Sequence, residues 1–262
     1  MSSSSRNIVL VKIGGSSITD KNTPYKLRKN VIKRLAKDIS KSKVTGMIIA
    51  HGSGSFGHVS AIKYGGAKGY KSLVGVSKVF YDAGRINEIM IDALISEGIP
   101  AVSVRPRGFI LAKSGKVENS FFEIIDEMLK QKLVPVICGD VILDKNWKTT
   151  IFSGEKSLNL LAKYLVKKKY GIKSVIQVGE TEGFLDEFGK TVPEINSKNW
   201  KKIKKNIYKT RKIDVTGGIK HKIEEALELS KMGIKTLLIS DKENRLYSAI
   251  IGKFTKGTVV EK

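Results

Sequence analysis

The feature that most constrains the fold of this chain is a regular alternation of short apolar runs with longer segments of helical periodicity. The runs are of strand length, and they are apolar throughout, which is typical of strands that are buried on both faces. They occupy residues 8–13, 46–50, 100–104, 133–138, 174–178 and 235–239. This alternation predicts an α/β fold in which a mostly parallel sheet is covered by helices on both faces.

The segments between these runs carry apolar residues at helical spacing. In the clearest of them, residues 76–96, Val76, Val79 and Phe80 begin an apolar stripe that recurs over several turns. The other predicted elements are helices over residues 27–40, 119–131, 157–168 and 218–232, and hairpin turns at residues 144–146 and 186–189. The sequence thus repeats a strand followed by a helix, which is the order of parallel α/β units.

The length of the chain indicates one compact unit. Its 262 residues suit one large α/β domain or two lobes that share a single sheet. Residues 1–7 are rich in serine and are expected to form a disordered tail. We therefore expect one domain over residues 8–262.

Charge and cysteine content limit the classes of function. The formal net charge is +23, which favours anionic partners such as nucleotides, phosphates or nucleic acid without choosing among them. The single cysteine, Cys138, lies in an apolar run, so an internal disulfide and a cysteine metal site are excluded and a reducing compartment is indicated. The first apolar run is too short for a membrane span or a signal-peptide core. No membrane association and a cytoplasmic location are expected.

Glycine-rich turns follow two of the predicted strands. Lys12-Ile-Gly-Gly-Ser16 ends the first strand, and His51-Gly-Ser-Gly-Ser-Phe-Gly-His58 follows the second. Glycine allows backbone amides to approach phosphate oxygens closely, and a helix N-terminus adds unpaired N–H groups and a partial positive charge. Two such turns at neighbouring strand ends can hold two phosphate groups face to face. The pattern points to phosphoryl transfer between two phosphorylated molecules.

Five ordered segments give the chain a family resemblance. They are KIGGSSITDK at residues 12–21, HGSGSFGH at 51–58, PVICGD at 135–140, FSG at 152–154 and DVTGGIKHK at 214–222. In this order they resemble the amino-acid kinase superfamily and, within it, the isopentenyl phosphate kinases of archaea, with fosfomycin kinase as a close relative. The resemblance implies an open αβα sandwich. It also implies an acceptor-binding lobe over residues 8–150 and a nucleotide-binding lobe over residues 151–262.

The resemblance also implies roles at the nucleotide side. Lys12 would neutralise the transferred phosphoryl group, Lys21 and Lys222 would clamp phosphates, and Asp140 would position the lysines. The implied nucleotide-binding residues are Gly14, Gly15, Ser16, Gly154, Glu180, Gly183, Gly217, Gly218 and Lys220. ATP is the implied donor, with Mg²⁺ held through phosphates and water rather than by protein ligands. From the residues alone, the alternative for Lys12 is a structural lysine that snorkels to the surface, for Lys21 and Lys222 a solvated surface charge, and for Asp140 a turn cap.

At the acceptor side, His58 discriminates best between relatives, because the resemblance implies a histidine here that donates a hydrogen bond to the acceptor phosphate. A helix-start histidine without a function is the alternative, and His51 is interpreted as structural. The other implied acceptor-binding residues are Gly52, Ser53, Gly54, Gly57 and Gly139, with Ser53 in place of a usual glycine.

Val76, Val79 and Phe80 are candidates for the pocket of a short branched hydrocarbon tail. An apolar stripe at this spacing is most often part of the core or of a dimer interface. The resemblance suggests a homodimer.

Two segments depart from the family pattern in the nucleotide half. Glu155-Lys156 replaces a usual pair of aspartates, and Glu180-Thr-Glu182-Gly183 replaces a usual Asp-Val-Asp-Gly. Glutamate is one methylene longer than aspartate, and Lys156 reverses a charge. Nucleotide affinity, base preference or metal placement is therefore expected to differ.

The leading hypothesis is ATP-dependent phosphorylation of isopentenyl phosphate to isopentenyl diphosphate in isoprenoid synthesis. A kinase of another small acceptor, such as a phosphonate or an acyl amino acid, is the nearest alternative. Residues 197–212 carry eight basic residues with Trp200 and Tyr208 among them, and they leave open a nucleic-acid-binding module on a kinase-like scaffold. A nucleotide-binding regulator without turnover is the remaining alternative.

Overall fold

The computed structural model describes residues 7–209, 217–254 and 256–262. Most of the predicted N-terminal tail, and Asp214 and Thr216 of the last family segment, therefore lie outside the described residues. The strands are β1 Asn7–Ile13, β2 Met47–His51, β3 Ala101–Ser103, β4 Ile110–Lys113, β5 Lys116–Ser120, β6 Val134–Cys138, β7 Asp140–Asp144, β8 Lys148–Phe152, β9 Gly171–Gly179, β10 Glu194–Ile195, β11 Thr236–Ser240 and β12 Thr258–Val260.

Helices alternate with most of these strands, as the apolar pattern predicts. They are α1 Gly15–Ile18, α2 Lys29–Ser42, α3 Gly54–Tyr64, α4 Leu73–Ser96, α5 Glu123–Lys130, α6 Gly154–Lys167, α7 Trp200–Lys209, α8 Gly217–Ser230 and α9 Arg245–Ile251. All six predicted strands and all five predicted helices are present. The start of one helix was predicted too early, because residues 119 and 120 belong to β5 and pair with β4.

Eight strands form one sheet in the order β10-β12-β11-β9-β1-β2-β6-β3. Neighbouring strands run parallel except β11 and β12, which confirms the mostly parallel sheet. The strands of the N-terminal half lie on one side of the sheet and those of the C-terminal half on the other. The halves meet where β1 pairs with β9 along its whole length, from Asn7 to Ile13.

The core lies on both faces of this sheet. Val9 and Val11 of β1 pack with residues of α2, α4 and α9, whereas Ile8 and Leu10 pack with residues of α5 and α6. Successive side chains of a strand point to opposite faces, so a strand that is apolar at every position buries both faces. This arrangement is an αβα sandwich, as the resemblance implies.

A second sheet, in the order β5-β4-β7-β8, was not predicted as a sheet. β7 and β8 form an antiparallel hairpin whose turn is held by Asp144, which accepts hydrogen bonds from four backbone N–H groups. The predicted hairpin turn at residues 144–146 is thereby confirmed. At residues 186–189 the predicted turn also forms, closed by a single antiparallel bridge between Leu185 and Thr191.

The strand ends determine where a site can form. The carboxyl ends of parallel strands share one edge of a sheet, and ligands of open α/β sheets bind beyond that edge. Here β1 and β2 run directly into α1 and α3, and α6 begins at the same edge after β8. Among the described helices, none is long and apolar enough to cross a membrane.

Candidate active site

The two glycine-rich turns lie against each other, backbone to backbone. A Cβ atom built on Gly15 would stand 2.6 Å from the amide nitrogen of Gly54, and one built on Gly52 would stand 2.8 Å from that of Gly15. Gly54 also adopts a φ of +51°, in the left-handed region that disfavours other residues. A side chain at any of these positions would push the turns apart. The two turns predicted separately therefore form one continuous surface.

Thr19 joins the two turns, a role that the sequence did not reveal. Its hydroxyl donates to the carbonyl oxygen of Gly15 at 2.9 Å and accepts from the amide of Ser55 at 3.0 Å. Thr19 is buried, so these bonds are shielded from water. The hydroxyl thus fixes the distance between the first turn and the start of α3.

A third strand end and a second helix complete the surface. The amide of Gly139, just after β6, donates to the carbonyl oxygen of His51 at 2.7 Å. A Cβ on Gly139 would lie 3.5 Å from the amide nitrogen of Ser53 and 3.7 Å from that of Gly154. α3 and α6 begin at this point, so two helix N-termini converge here. Their free N–H groups and partial positive charges favour an anion.

Lys12 and Lys222 share one carboxylate, that of Glu155. The ammonium group of Lys12 donates to Glu155 Oε1, and Lys222 Nζ lies 3.9 Å from the same oxygen. Lys12 is 5% exposed. Glu155 stands in the first turn of α6, whose N-cap Ser153 accepts from the amide of Lys156. The lysines of two distant segments are thereby held at one place.

The charges of this cluster shift its pKa values. Burial alone would raise the pKa of Glu155, but the neighbouring charges of Lys12 and Lys222 hold it below its ordinary value. Burial, followed by repulsion from Lys12, lowers the pKa of Lys222, and Glu155 opposes this only in part. One carboxylate therefore faces two cations, the buried Lys12 and the half-buried Lys222, and the cluster is short of negative charge.

Asp140 contacts Arg107 rather than the lysines that it was implied to position, and its implied role stays a prediction. Its Oδ1 lies 3.2 Å from Arg107 Nη1 and accepts from the amide of Val141 at 2.9 Å, whereas Glu155 pairs with the lysines. The reason is that β7 turns Asp140 toward Arg107 while α6 carries Glu155 directly over Lys12. Burial raises the pKa of Asp140, although Arg107 opposes the shift. Its Oδ2 is buried without a hydrogen-bond partner among the described atoms, and Asp140 is one of the residues that line the cleft described below.

Lys21 lies in the loop after α1, with its side chain 67% exposed. Its Nζ is 3.5 Å from Glu180 Oε2, and its positive charge contributes to the lowered pKa of Lys222. Glu180 also lies 3.2 Å from Arg28 Nη1. The glutamate that departs from the family pattern therefore contacts basic residues of the N-terminal half.

All these groups open onto one cleft of about 570 Å³. The predicted site residues that line it are Lys12, Gly15, Ser16, Lys21, Gly52, Ser53, Gly54, Gly57, His58, Val79, Gly139, Asp140, Gly154 and Lys222. We call the part formed by the glycine turns and the three lysines the cationic end. Residues from both halves of the chain thus meet in a single cavity.

The opposite part of the cleft, which we call the apolar end, is lined by Val59, Ile62, Val79, Ala83 and Ile151. Val59 and Ile62 come from α3, Val79 and Ala83 from α4, and Ile151 from β8. Ile62 is 79% exposed and Ile151 is 44% exposed. Large apolar side chains that remain exposed in a cleft are typical of a site for an apolar group.

The two histidines of the second turn differ in environment. His58 is exposed on α3 and lines the cleft. His51 is fully buried, and burial lowers its pKa to about 4. Its Nε2 faces the amide of Asn87 at 2.9 Å and its Nδ1 faces the carbonyl oxygen of Gly52 at 3.1 Å. His51 is therefore a neutral structural residue, and His58 is the histidine that a ligand can reach.

Several predicted site residues do not line the cleft. The ring of Phe80 faces the guanidinium group of Arg107 at 4.9 Å, and neither Phe80 nor Val76 is among the residues that line the cleft. Only one turn of α4, from Val79 to Ala83, reaches the cavity, and a pocket role for Val76 and Phe80 stays a prediction. Gly14 is held between β1 and β9 by its hydrogen bond to Val178.

Two further nucleotide-side residues, Gly183 and Lys220, also lie away from the cleft lining. Gly183 packs its backbone against Thr258 of β12. Lys220 lies on another face of α8 than Lys222, with Glu224 4.0 Å from its Nζ. Gly217 and Gly218 begin α8, directly after residues that lie outside the described part of the chain.

The basic segment is largely helical and forms α7. Trp200 is buried, and its ring meets that of Phe184 edge-on at 5.8 Å. A buried indole cannot stack on a nucleobase, so Trp200 does not supply the aromatic contact that the nucleic-acid alternative assumed. The side chain of Tyr208 lies outside the described residues. Within the described part of the chain, no group of three His, Cys, Asp or Glu residues is placed to hold a metal ion.

Comparisons with a family model and with individual proteins agree on one family. A sequence model of the amino acid kinase family matches residues 7–240. The chain is 32% identical to the isopentenyl phosphate kinase of Methanocaldococcus jannaschii, over 97% of this chain and 98% of that protein. It is 28% identical to the isopentenyl phosphate kinase of Methanothermobacter thermautotrophicus, over 96% and 98%.

The fold comparison agrees with the sequence comparison. A solved isopentenyl phosphate kinase superposes with a TM-score of 0.81 at 26% identity, covering 97% of this chain and 100% of that one. The similarity therefore extends over both halves of the sheet and over the cleft between them.

Proposed function

The chain belongs to the amino acid kinase family, and we propose that it transfers the γ-phosphoryl group of ATP to isopentenyl phosphate, giving isopentenyl diphosphate for isoprenoid synthesis. One observation carries this proposal: a single cleft has lysines, of which Lys12 is buried, and glycine turns at one end and exposed apolar side chains at the other. An acceptor with a phosphate head and a short hydrocarbon tail matches both ends. The full-length similarity to isopentenyl phosphate kinases supports the same substrate.

The chemistry needs no general base. The oxygen of a phosphate monoester is already ionised at neutral pH and attacks the γ-phosphorus without first losing a proton. Catalysis then consists of aligning two anions and neutralising their repulsion. Lysines and main-chain amides, rather than a proton acceptor, are the groups that such a reaction requires.

Lys12 and Lys222 stabilise the transferred group in this proposal. Both cations already stand beside one carboxylate, Glu155, so their positions are set before a substrate arrives. Lys21 adds charge from the loop above the cleft. Because the cluster has more cations than anions, an incoming phosphate completes its charge balance.

The acceptor occupies the second turn and the apolar end. The N-terminus of α3 and the ring of His58 hold its phosphate, and Ile62, Val79 and Ile151 contact its tail. The left-handed Gly54 keeps the turn close enough for main-chain contact with the phosphate. A polar acceptor with a carboxylate in place of the phosphate would make poorer contacts with His58 and with the apolar end.

ATP fits the cationic end because lysines, glycine amides and the N-terminus of α6 are all groups that bind phosphate. Mg²⁺ would be carried mainly by phosphate oxygens and water, since Asp140 and Glu155 are the acidic residues among those lining the cleft. Residues 8–150 are proposed to bind the acceptor and residues 151–262 the nucleotide. The boundary between these two parts falls within β8, and Ile151 of this strand lies at the apolar end of the cleft.

We propose a homodimer because α4 carries large apolar side chains that are exposed. Val74, Tyr81 and Ile95 are separated by seven and fourteen positions along this helix, with Glu88 between the last two, and they are 81%, 61% and 56% exposed. A second copy would cover such a stripe. The cytoplasmic location stays a prediction.

An acceptor panel tests the proposal. The purified protein is incubated with ATP, Mg²⁺ and either isopentenyl phosphate, acetylglutamate or fosfomycin, and ADP release and phosphorylated product are measured. We expect vigorous turnover with isopentenyl phosphate alone. Turnover of acetylglutamate or fosfomycin with none of isopentenyl phosphate would contradict the proposal.

Two variants make the assay specific to this cleft. Lys12→Ala, prepared in the same way, is expected to lose about a thousandfold in kcat. A loss of this size would show that the activity belongs to this protein and not to a contaminating kinase. His58→Ala is expected to retain folding and ATP binding while acceptor turnover falls strongly. Unchanged acceptor kinetics in His58→Ala would remove this residue from the site.

A further inference from the structure

The loop between Thr19 and Leu27 carries Lys21 to the cleft. The loop is closed at its base by an antiparallel bridge between Thr19 and Leu27 and by the amide of Asp20, which donates to the carbonyl oxygen of Lys26 at 2.9 Å. Beyond this base, Lys21 pairs with Glu180 at 3.5 Å, but both side chains are exposed, and an exposed ion pair of this kind holds a loop only weakly. Something must orient the loop if Lys21 is to stand over the cleft.

Tyr25 ties this loop to both helices of the acceptor side. Its hydroxyl donates to Asp82 Oδ2 at 3.0 Å and lies 3.2 Å from the hydroxyl of Ser60. Its ring meets that of Phe56 edge-on, with centroids 5.4 Å apart. Asp82 belongs to α4, while Ser60 and Phe56 belong to α3. One side chain therefore connects the loop with the two helices that form the apolar end.

The acceptor of this bond is a fully buried carboxylate. Asp82 has no exposed surface, and it also accepts from Ser60 and from Lys78 Nζ at 2.7 Å. Burial alone would raise its pKa, but the three donors hold the pKa below its ordinary value. Asp82 is therefore charged, and hydrogen bonds to a buried charge are strong and costly to leave unmade.

The backbone of Tyr25 supports a specific role. Its φ is +57°, a left-handed conformation that bulky residues rarely adopt. Such strain persists only where surrounding contacts over-determine the conformation, and it is concentrated at functional sites. Here the contacts are those of the Tyr25 side chain, so the ring and hydroxyl hold the backbone in place.

We propose that Tyr25 is a positioning residue for the phosphoryl transfer, which latches the loop onto Asp82 and Ser60 so that Lys21 stands over the cationic end of the cleft. Tyr25 does not line the cleft and acts through Lys21. The far end of the loop is held independently by Arg28, whose Nη1 donates to the carbonyl oxygen of Ser16 at 2.9 Å. The inference rests on the proposed function, because Lys21 matters only if phosphates bind there.

A double-mutant cycle tests the coupling. kcat and KM are measured for wild type, Tyr25→Phe, Lys21→Ala and the double variant. Tyr25→Phe is expected to lower kcat roughly tenfold while KM for isopentenyl phosphate changes less than about twofold, because only the position of Lys21 is lost. The double variant should match Lys21→Ala, because the hydroxyl has no effect once the lysine is absent. If the loss of kcat in the double variant equals the product of the losses in the two single variants, the proposal is overturned.

A second measurement separates this inference from the proposed function. Hydrogen–deuterium exchange of residues 20–26 is compared in wild type, Tyr25→Phe, Ser60→Ala and the control Tyr81→Phe, whose ring is exposed on α4. Compared with wild type, exchange is expected to be faster in Tyr25→Phe and Ser60→Ala and unchanged in Tyr81→Phe. Unchanged exchange in Tyr25→Phe would overturn the latch whatever the activity, whereas a wild type inactive on isopentenyl phosphate would overturn the proposed function.

Discussion

The cationic end and the apolar end of the cleft are built by different means. At the cationic end, main chain contacts main chain, as where a Cβ on Gly15 would meet the amide of Gly54 at 2.6 Å. At the apolar end, side chains such as Ile62 and Ile151 project from α3 and β8 into open space. The first end is defined by backbone positions and charge, and the second by side chains that can be exchanged. Substitutions should therefore affect catalysis at one end and acceptor affinity at the other.

The largest effect that separates the two ends is expected for Glu155→Gln. The two lysines lose their shared anion, so they repel each other and leave the position that the reaction needs, and kcat should fall about a hundredfold. KM for ATP should stay unchanged or fall, because an anion near the phosphates is removed. Steady-state kinetics in both substrates measure this split.

Glu123→Gln is the matched control, because Glu123 is also an acidic residue in the first turn of a helix, but on the exposed face of α5. It should behave as wild type. A Glu155→Gln enzyme with wild-type kcat would mean that the carboxylate does not position Lys12 and Lys222.

At the apolar end, Ile151→Ser should raise KM for isopentenyl phosphate about tenfold and leave kcat nearly unchanged. The expected magnitude is that of losing part of an apolar contact in a binding pocket. Leu143→Ser is the control, since Leu143 is 54% exposed on the neighbouring strand β7 and does not line the cleft. Equal KM values in the two variants would show that the acceptor tail lies elsewhere.

The smallest expected effect is in the pH dependence at the cationic end. The pKa of Lys222 lies below the ordinary lysine value of 10.5, so its charge is present at lower pH and is lost earlier than usual as pH rises. kcat/KM for ATP should therefore decline on the alkaline side, reporting the free enzyme. Lys222→Arg keeps its charge and should move this decline to higher pH. Superimposable profiles for the two enzymes would assign the decline to another group.

The sequence predicted the main sheet and much of the cationic end, for one physical reason. Residues 8–13 are apolar at every position because β1 is buried on both faces, and glycines stand where the turns touch. Such constraints act on single positions, so they leave a local pattern. Strands β4 and β5 were missed because they are short and partly exposed, with a register shift between Leu111 and Ala112, and they carry no such pattern.

Contacts between distant residues could not be predicted in the same way. Glu155 is 143 positions from Lys12, and the choice between Glu155 and Asp140 as its partner depends on how α6 and β7 are oriented. The bond from Tyr25 to Asp82 spans 57 positions. A lone tyrosine in a polar loop carries no signal of its partner, so only the packed fold reveals the latch.

The seven-residue pairing of β1 with β9 has a consequence for how the enzyme can move. The two halves of the protein are joined by this parallel ladder, which has one register shift between Ile8 and Val9, so they cannot separate as rigid bodies without breaking backbone hydrogen bonds in the core. Substrates must instead enter and leave through local movements of surface segments, while the central sheet stays in place.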